Sequence, residues 1–269
     1  MLLAVSSEGP QQKKAEMPIE FVGKTDVGRL RNLNEDNYSA FASQDGKAYV
    51  FVVADGMGGA NAGEVASKIL TDHFTKKMKK INFGKMTIDS VKKTLTEVIR
   101  GANEKIYKKA TSKKALSGMG TTVVAGVLFG EKLIAANVGD SRAYISHKSR
   151  LEIVTEDHTF VHDLFRSGAI SATEEKNHPS KHILTRAVGV HSDVEVDTYI
   201  CDFPKDAVLL LCSDGLTNMI EEPPMQRLIR RHKNMEKLSD RLVAVANEKG
   251  GQDNITVIVA RRQEEVTRE

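Results

Sequence analysis

Four aspartates stand where apolar, strand-like runs end or begin. Asp55 closes "YVFVVAD", Asp140 closes "LIAANVGD", Asp214 closes "VLLLCSD", and Asp253 precedes "NITVIVA". Each has Gly, Ser or Asn beside it, and each alone is typical of a turn, because Asp bonds nearby backbone and Gly accepts positive φ. If these strands share an end, the carboxylates converge, and converging carboxylates must be protonated or bridged by a cation.

The chemistry of that cation follows from the donor atoms. No paired cysteine or paired histidine spacing of a zinc site accompanies the aspartates, so hard oxygen ligands favour Mg²⁺ or Mn²⁺ over zinc. The stretch "TDVGRLRNLNEDNYS" adds Glu35 and Asp36 together with Arg29 and Arg31. Either the arginines neutralise acidic charge, or a guanidinium fork binds phosphate oxygens that a metal also contacts.

The glycine-rich stretch Val52–Gly63, "VVADGMGGANAG", does not match a nucleotide-binding loop. A Walker A loop needs Lys where this chain has Glu64, and the dinucleotide fingerprint needs Gly where it has Asn61. We therefore interpret the stretch as a metal site at Asp55. Its glycines allow close approach of backbone, and Gly56 can offer its carbonyl oxygen as a ligand.

Short β-branched runs and two helical pairs must position these residues. Helical stripes recur between the first two strand runs, around Ala66–Phe74 and Val91–Ile99, and a second helical pair follows Pro223–Pro224 and ends at Gly250–Gly251. This order predicts an α+β domain with two mainly antiparallel sheets flanked by helices. The predicted strands are 49–55, 121–130, 132–140, 142–147, 151–155, 194–200, 207–214 and 254–262.

Length and composition set the organisation. We expect a flexible tail at 1–17, one domain at 18–263 and a lid at about 160–192, the least periodic part of these 269 residues. No apolar run is long enough to span a membrane, which predicts a soluble protein without a membrane partner. We also expect a monomer. Two cysteines form no disulfide framework and favour the reducing cytoplasm. Net charge is +3, and the lysine clusters are interpreted as solvated helix faces with no nucleic-acid partner.

Taken together, these motifs resemble the metal-dependent Ser/Thr protein phosphatases, the PPM or type 2C family, and most closely its compact bacterial members. The resemblance covers about residues 21–261 and implies a four-layer α-β-β-α sandwich with a two-metal centre at one end. It rests on eight blocks in the family's order, which are "TDVGRLRNLNEDN", "ADGMGGANAGEVAS", "SGMGTTVVAGVL", "NVGDSRAY", "TEDHTFVHDLFRSGAI", "LTRAVG", "LLLCSDGLTNMI" and "GGQDNITVIVA".

The resemblance implies a ligand set for two Mn²⁺ or Mg²⁺ ions. By matching motif positions, Asp55 would bridge both ions and the Gly56 carbonyl would bind one of them. Asp214 and Asp253 would bind the other ion. Asp140 matches the acid that joins Asp214 at a third, weaker metal site in bacterial members.

The same resemblance implies roles around the metals. Asp36, with Glu35, would hold metal-bound waters in the outer shell. Arg31 matches the phosphate-gripping arginine, whereas Arg29 occupies a position that the motif leaves variable. Asn254 and Thr121 match positions near the centre and receive supporting roles.

The implied reaction is hydrolysis of phosphoserine and phosphothreonine by direct attack of a metal-bridging hydroxide, without a phospho-enzyme. Arg31 would stabilise the charge that spreads over the phosphoryl oxygens. One departure concerns Met57, because some family members carry there a His proposed to protonate the leaving group. A thioether cannot do so, and His158 is not assigned that role.

The implied partners are phosphorylated proteins and a cytoplasmic Ser/Thr kinase whose action the protein reverses. Two alternatives stand beside this hypothesis. One is a phosphatase dedicated to a single small regulatory protein, such as an anti-sigma-factor antagonist, although such enzymes often carry sensor or membrane domains. The other is an inactive binding module, whose signature would be loss of a metal acid, yet Asp55, Asp214 and Asp253 are present.

Overall fold

The computed structural model describes residues 19–58 and 62–262. The predicted tail at 1–17 and the predicted domain boundaries at 18 and 263 lie outside these residues. The strands are β1 Ile19–Asp26, β2 Asp36–Ala42, β3 Ala48–Met57, β4 Gly120–Thr121, β5 Val123–Phe129, β6 Lys132–Val138, β7 Arg142–His147, β8 Arg150–Ile153, β9 Asp197–Asp202, β10 Val208–Cys212 and β11 Ile255–Arg262. The α-helices are α1 Ala62–Met78, α2 Ile88–Ser112, α3 Phe160–Arg166, α4 Ala172–Asn177, α5 Asp214–Thr217, α6 Glu222–Arg231 and α7 Met235–Glu248.

The strands form two antiparallel sheets. One has the order β1-β11-β10-β7-β8, and the other has the order β2-β3-β5-β6-β9 with β4 paired to β3. Every pairing between these strands is antiparallel. The α+β fold predicted from the sequence is confirmed.

Three apolar layers separate the four layers of secondary structure. Along β3, Val50 and Val52 pack with α1 and α2, whereas Phe51 and Val53 pack between the sheets. On the other side, alternate residues of β11 pack with α6 and α7. Because both faces of the central strands are covered, these strands are almost continuously apolar, which is why they were recognisable in the sequence.

Strands β1 and β2 were not predicted. β2, "DNYSAFA", is short of large apolar residues, and β1 lies at a sheet edge with Gly23 in its middle. A Cβ at Gly23 would come within 2.2 Å of Tyr38 on β2, so the glycine lets the two sheets approach closely. The single strand predicted at 121–130 is in fact two strands, β4 and β5, because the β conformation is interrupted at Thr122.

The first turns of α2 and α6 contain residues that favour the start of a helix. Thr87 and Ser90 form a capping box at the start of α2. Pro223 and Pro224 were expected to precede α6 but lie inside its first turn, where a missing N–H is tolerated. Within the described residues, no helix is both long and apolar enough to cross a membrane.

Residues 160–192, which we call the flap, carry two short helices, α3 and α4. Two contacts join the segments that enter and leave these helices. Phe160 N–H donates to the Ile183 carbonyl at 2.8 Å, and Thr185 N–H donates to the His158 carbonyl at 2.9 Å. The flap is thus closed at its base, and it lies in the connection from β8 of one sheet to β9 of the other.

Candidate metal centre

The strand register brings the aspartates to one end of the sandwich. Asp36 and Asp55 face each other across β2 and β3. The pairing continues through β5 to β6, so Asp140, just after β6, reaches the same end. In the other sheet, Cys212 pairs with Val257, which sets Asp214 after β10 beside Asp253 before β11.

These strand ends surround a cavity of about 550 Å³. Asp55, Asp140, Asp214 and Asp253 all line it. Gly56 lines it as well, together with Arg31, Glu35 and Asn254. Asp36 is not part of the lining, because it lies behind the cavity and is only 5% exposed.

The buried carboxylates raise one another's pKa. Burial raises the pKa of Asp55 well above its usual range, and the charges of Asp36, Asp214 and Asp140 raise it further. Burial and then the charge of Asp214 raise the pKa of Asp140. The pKa of Asp214 is raised by burial and by the charge of Asp253. The cavity therefore favours a bound cation or bound protons.

Asp36 is held from the opposite sheet. Ser213 donates its hydroxyl to Oδ2 of Asp36 at 2.7 Å. Oδ1 is buried and has no hydrogen-bond partner among the described residues. Burial raises the pKa of Asp36 to about 7, although the hydroxyls of Thr256 and Ser213 oppose the shift. A buried carboxylate oxygen without a partner is a position that a bound water or cation would satisfy.

These residues fit a divalent metal that keeps several bound waters. Among the described residues, no three His, Cys, Asp or Glu side chains are arranged as a complete ligand set for one ion. Mg²⁺ commonly binds one or two carboxylates and retains several waters, so such a set is not required. The all-oxygen donors and the mutual repulsion of the aspartates both suit Mg²⁺ or Mn²⁺.

Close backbone packing fixes the Asp55–Gly56 corner. A Cβ at Gly56 would lie 2.2 Å from the Gly63 carbonyl oxygen and 2.6 Å from that of Glu35. The Asp55 carbonyl accepts hydrogen bonds from Thr121 Oγ1 at 2.9 Å and from Thr122 N–H at 2.8 Å. Glycine is therefore required at position 56, and the supporting position assigned to Thr121 is a direct contact with Asp55.

The loop that carries Arg31 is clamped by Asn254. Its Nδ2 donates to the carbonyls of Val27 at 2.8 Å and Leu33 at 3.0 Å, and its Oδ1 accepts Glu35 N–H at 2.8 Å. Arg31 extends from this loop to the cavity, where its Nη2 donates to Asp253 Oδ2 at 2.7 Å. The guanidinium thus lies at the mouth of the cavity and remains half exposed.

Glu35 has a second contact that the sequence did not suggest. Its carboxylate lies beside the backbone N–H groups of Gly63 and Glu64, in the first turn of α1, which lower its pKa. A carboxylate at a helix N-terminus is favourable, because it satisfies free N–H groups and meets the positive end of the dipole. Burial still raises the pKa of Glu35, while the charge of Arg31 lowers it.

Several cavity residues were missed from the sequence. Asn218 donates its Nδ2 to Asp214 Oδ2 at 2.9 Å, and His182 on the flap has its Nδ1 3.9 Å from the same oxygen. Thr122 and Gln252 also line the cavity. The four-residue spacing from Asp214 to Asn218 was a usable signal, because such residues share a helix face. For His182 the sequence held no signal.

Two residues bear on proton transfer. Met57 lines the cavity, at the position where some family members carry His. His158 is buried outside the cavity lining, where its Nδ1 accepts Gly139 N–H at 3.0 Å and its Nε2 lies 3.0 Å from Asp197 Oδ2. Burial lowers the pKa of His158, so the imidazole is held neutral between those partners.

Comparison with known proteins gives a consistent result. The sequence profile of the family described as "Protein phosphatase 2C" matches residues 29–256. The serine/threonine phosphatase Stp of Listeria welshimeri is 42% identical over 239 residues, which cover 89% of this chain and 94% of that protein. The crystal structure of serine/threonine phosphatase Stp1 from Staphylococcus aureus has a TM-score of 0.87 at 33% identity, covering 95% of this chain and 100% of the other. The S. agalactiae serine/threonine phosphatase has a TM-score of 0.86 at 30% identity, covering 91% and 100%.

Proposed function

The chain belongs to the protein phosphatase 2C family and is a protein-serine/threonine phosphatase, and from that premise we propose that it acts through divalent metals held by the aspartate-lined cavity. The observation that carries the proposal is the meeting of four aspartates from two sheets in one cavity with an arginine at its mouth. Phosphate monoester hydrolysis needs positive charge near the phosphoryl oxygens, where negative charge accumulates. The arginine supplies part of this positive charge, and metals held by the aspartates would supply the rest.

We assign the metal ligands by residue. Asp55 and the Gly56 carbonyl would hold one Mn²⁺ or Mg²⁺, and Asp214 and Asp253 would hold a second. Asp140 would join Asp214 at a third, weaker position. When bound, these ions supply Lewis acidity and make a water nucleophilic near neutral pH. The raised pKa values of the buried aspartates support this assignment, because a divalent ion relieves their repulsion.

Behind the ligands, a second group of residues would keep the site in shape. Asn218 orients Asp214 through the 2.9 Å hydrogen bond to its Oδ2. Ser213 holds Asp36 against the outer side of the cavity, where Asp36 and Glu35 would accept hydrogen bonds from ordered water.

Arg31 would bind the phosphate in both the ground state and the transition state. A guanidinium presents five N–H donors, and only the bond from Nη2 to Asp253 is present within the described residues. Its other donors can form paired hydrogen bonds with phosphate oxygens. The Asn254 clamp fixes the loop that carries it, so the guanidinium is held at the cavity mouth before substrate binds.

The leaving serine or threonine oxygen must gain a proton. Met57 has no proton to give, and His158 is fixed away from the cavity. We therefore assign this proton to water or to another acid within the cavity.

The substrates of a protein-serine/threonine phosphatase are phosphoproteins. We further propose a cytoplasmic monomer that reverses a cognate Ser/Thr kinase. The two free thiols, Cys201 and Cys212, support a reducing compartment. The similar proteins of Listeria and Staphylococcus are serine/threonine phosphatases, which supports phosphoproteins as the substrates here.

The proposal is tested with a small aryl phosphate and a phosphothreonine peptide. We expect hydrolysis of both with Mn²⁺ or Mg²⁺ and complete loss with excess chelator, reversed when metal is restored. Activity that survives chelation would contradict the metal assignment. Absence of activity with every divalent metal, in protein whose circular dichroism shows a folded chain, would favour a phosphatase-like binding module.

A further inference from the structure

A second cavity, of about 670 Å³, adjoins the metal centre beneath the flap. It shares four lining residues with the first cavity, which are Asp140, His182, Asp214 and Asn218. From there it runs between the flap helices on one side and the start of α6 on the other. We call this cavity the flap groove. A substrate whose phosphorylated residue occupies the metal centre would have neighbouring residues directly at its entrance.

The charge of the flap groove is negative on its α6 side. Five carboxylates line it beyond the metal centre. Glu156 pairs with Arg166, Asp157 pairs with Arg142, and Oε1 of Glu175 lies 2.7 Å from Nδ1 of His162. The remaining two stand at the start of α6. Glu222 lies 3.9 Å from Arg142, which already binds Asp157, and Glu221 is exposed without an ion pair in the described part of the chain. Lys176 and Lys181 lie on the flap side, so the negative charge is one-sided.

Two large apolar side chains in the flap groove are open to solvent. Ile153, at the end of β8, is 47% exposed, and Phe165, on α3, is 37% exposed. Apolar surface beside carboxylates suits lysine and arginine, because their methylene stems pack on apolar groups while the charged head meets the acid. An acidic peptide would meet like charge at the same place.

We propose that the flap groove binds the polypeptide beside the phosphorylated residue and selects a basic residue that reaches Glu221 and Glu222. This inference rests on the proposed phosphatase function and specifies its substrates. The metal centre then recognises the phosphate, and the flap groove discriminates among phosphoproteins by the charge of the flanking sequence. Because Glu221 is exposed and Glu222 is partly exposed, the preference weakens as ionic strength rises.

The test uses phosphothreonine peptides that carry one lysine, or one glutamate, at each position from one to five residues on either side. We expect kcat/KM at low salt to be about fivefold to tenfold higher for the best lysine peptide than for its glutamate counterpart. The double variant Glu221→Gln/Glu222→Gln should reduce that ratio to about one. Glu221→Lys/Glu222→Lys should invert it. Neither Glu221 nor Glu222 lines the metal cavity, so aryl phosphate turnover reports whether the metal centre of each variant is intact.

The matched control is Glu131→Gln/Glu236→Gln. Glu236 also lies in the first turn of a helix, both control residues are exposed, and neither lines either cavity. This variant has the same net charge as the first double variant and should keep the full preference.

The outcomes separate the two proposals. Equal kcat/KM for lysine and glutamate peptides in the wild-type protein would overturn the flap groove assignment. A preference that survives the Glu221→Gln/Glu222→Gln change would also overturn it, because it would then arise from the general field of the protein. If the wild-type protein lacks aryl phosphatase activity, the proposed function fails. The flap groove is then tested by calorimetry, which compares the affinities of lysine and glutamate peptides in phosphonate form for the wild-type protein and the two double variants.

Discussion

Asn254 accepts the backbone N–H of Glu35 at 2.8 Å, although 219 positions separate the two residues in the chain. With its two bonds to Val27 and Leu33, this side chain ties the loop of Arg31 to the start of β11. Asn254→Ala would leave three backbone groups without partners, so we expect the free energy of unfolding to fall by about 2–4 kcal/mol. Urea unfolding of metal-free protein measures the loss. A change below about 0.5 kcal/mol would show that the clamp is not needed.

Arg31→Ala should weaken phosphate binding. Loss of a charge-assisted contact predicts a KM for phosphopeptide raised by about tenfold or more, with a smaller fall in kcat. The inhibition constant of inorganic phosphate should rise in parallel. Arg29→Ala is the matched control, because Arg29 is an exposed neighbour that does not line the cavity. Unchanged KM and kcat in Arg31→Ala, or equal effects of the two substitutions, would remove Arg31 from the phosphate site.

Gly56→Ala should disrupt the Asp55 corner. The added Cβ would meet the Gly63 carbonyl at 2.2 Å, and such overpacking costs about 1–3 kcal/mol or forces the backbone to move. We expect lower thermal stability together with weaker Mn²⁺ binding in calorimetry. At Gly84 the nearest atom to an added Cβ is 3.4 Å away, so Gly84→Ala should leave both quantities unchanged. Wild-type Mn²⁺ affinity in Gly56→Ala would contradict the close packing described for this corner.

His73 should make the protein sensitive to acid. Burial and the charges of Lys105, Lys77 and Lys76 lower its pKa from 6.5 to about 4, so the folded state favours the neutral imidazole. The unfolded chain takes up a proton first, and stability present above pH 6.5 is therefore lost as the pH falls toward 4. Between pH 7 and pH 5, the free energy of unfolding should fall by about 1 kcal/mol less in His73→Gln than in the wild-type protein, with solvent screening taken into account.

The measurement for His73 is the midpoint of thermal unfolding at both pH values. From pH 7 to pH 5, the midpoint of the wild-type protein should fall by about 2–4 °C more than the midpoint of His73→Gln. The same difference between the two proteins at both pH values would show that His73 does not titrate in this range.

The sequence was most informative about the central strands and the acids at their ends. β3, β10 and β11 are covered on both faces, so their apolar runs were recognisable, and Asp55, Asp214 and Asp253 mark their ends. β1 and β2 were missed because they combine polar residues with partial exposure, a pattern that a loop can also produce. β2 is a strand because it packs between the sheets, and its own residues carry no sequence pattern that shows this packing.

The finer contacts of the site were beyond sequence reasoning for a similar reason. The Glu35 cap on α1 depends on residues 28 positions or more apart in the chain, and the approach of His182 to Asp214 depends on the path of the flap. The hydrogen bond from Asn218 to Asp214 is local, and its helical spacing would have allowed a prediction. Long-range polar contacts of this kind follow from the fold and cannot be read from spacing.

The central claim is that the aspartate-lined cavity holds the divalent metal that phosphoester hydrolysis requires. The most direct measurement is Mn²⁺ binding by calorimetry in the wild-type protein and in Asp55→Asn, with phosphothreonine peptide turnover recorded on the same samples. We predict that the wild-type protein binds Mn²⁺ and turns over the peptide. Asp55→Asn should keep its circular dichroism spectrum while Mn²⁺ affinity and kcat both fall by about two orders of magnitude or more. Folded Asp55→Asn protein with near wild-type kcat and Mn²⁺ affinity would contradict the claim.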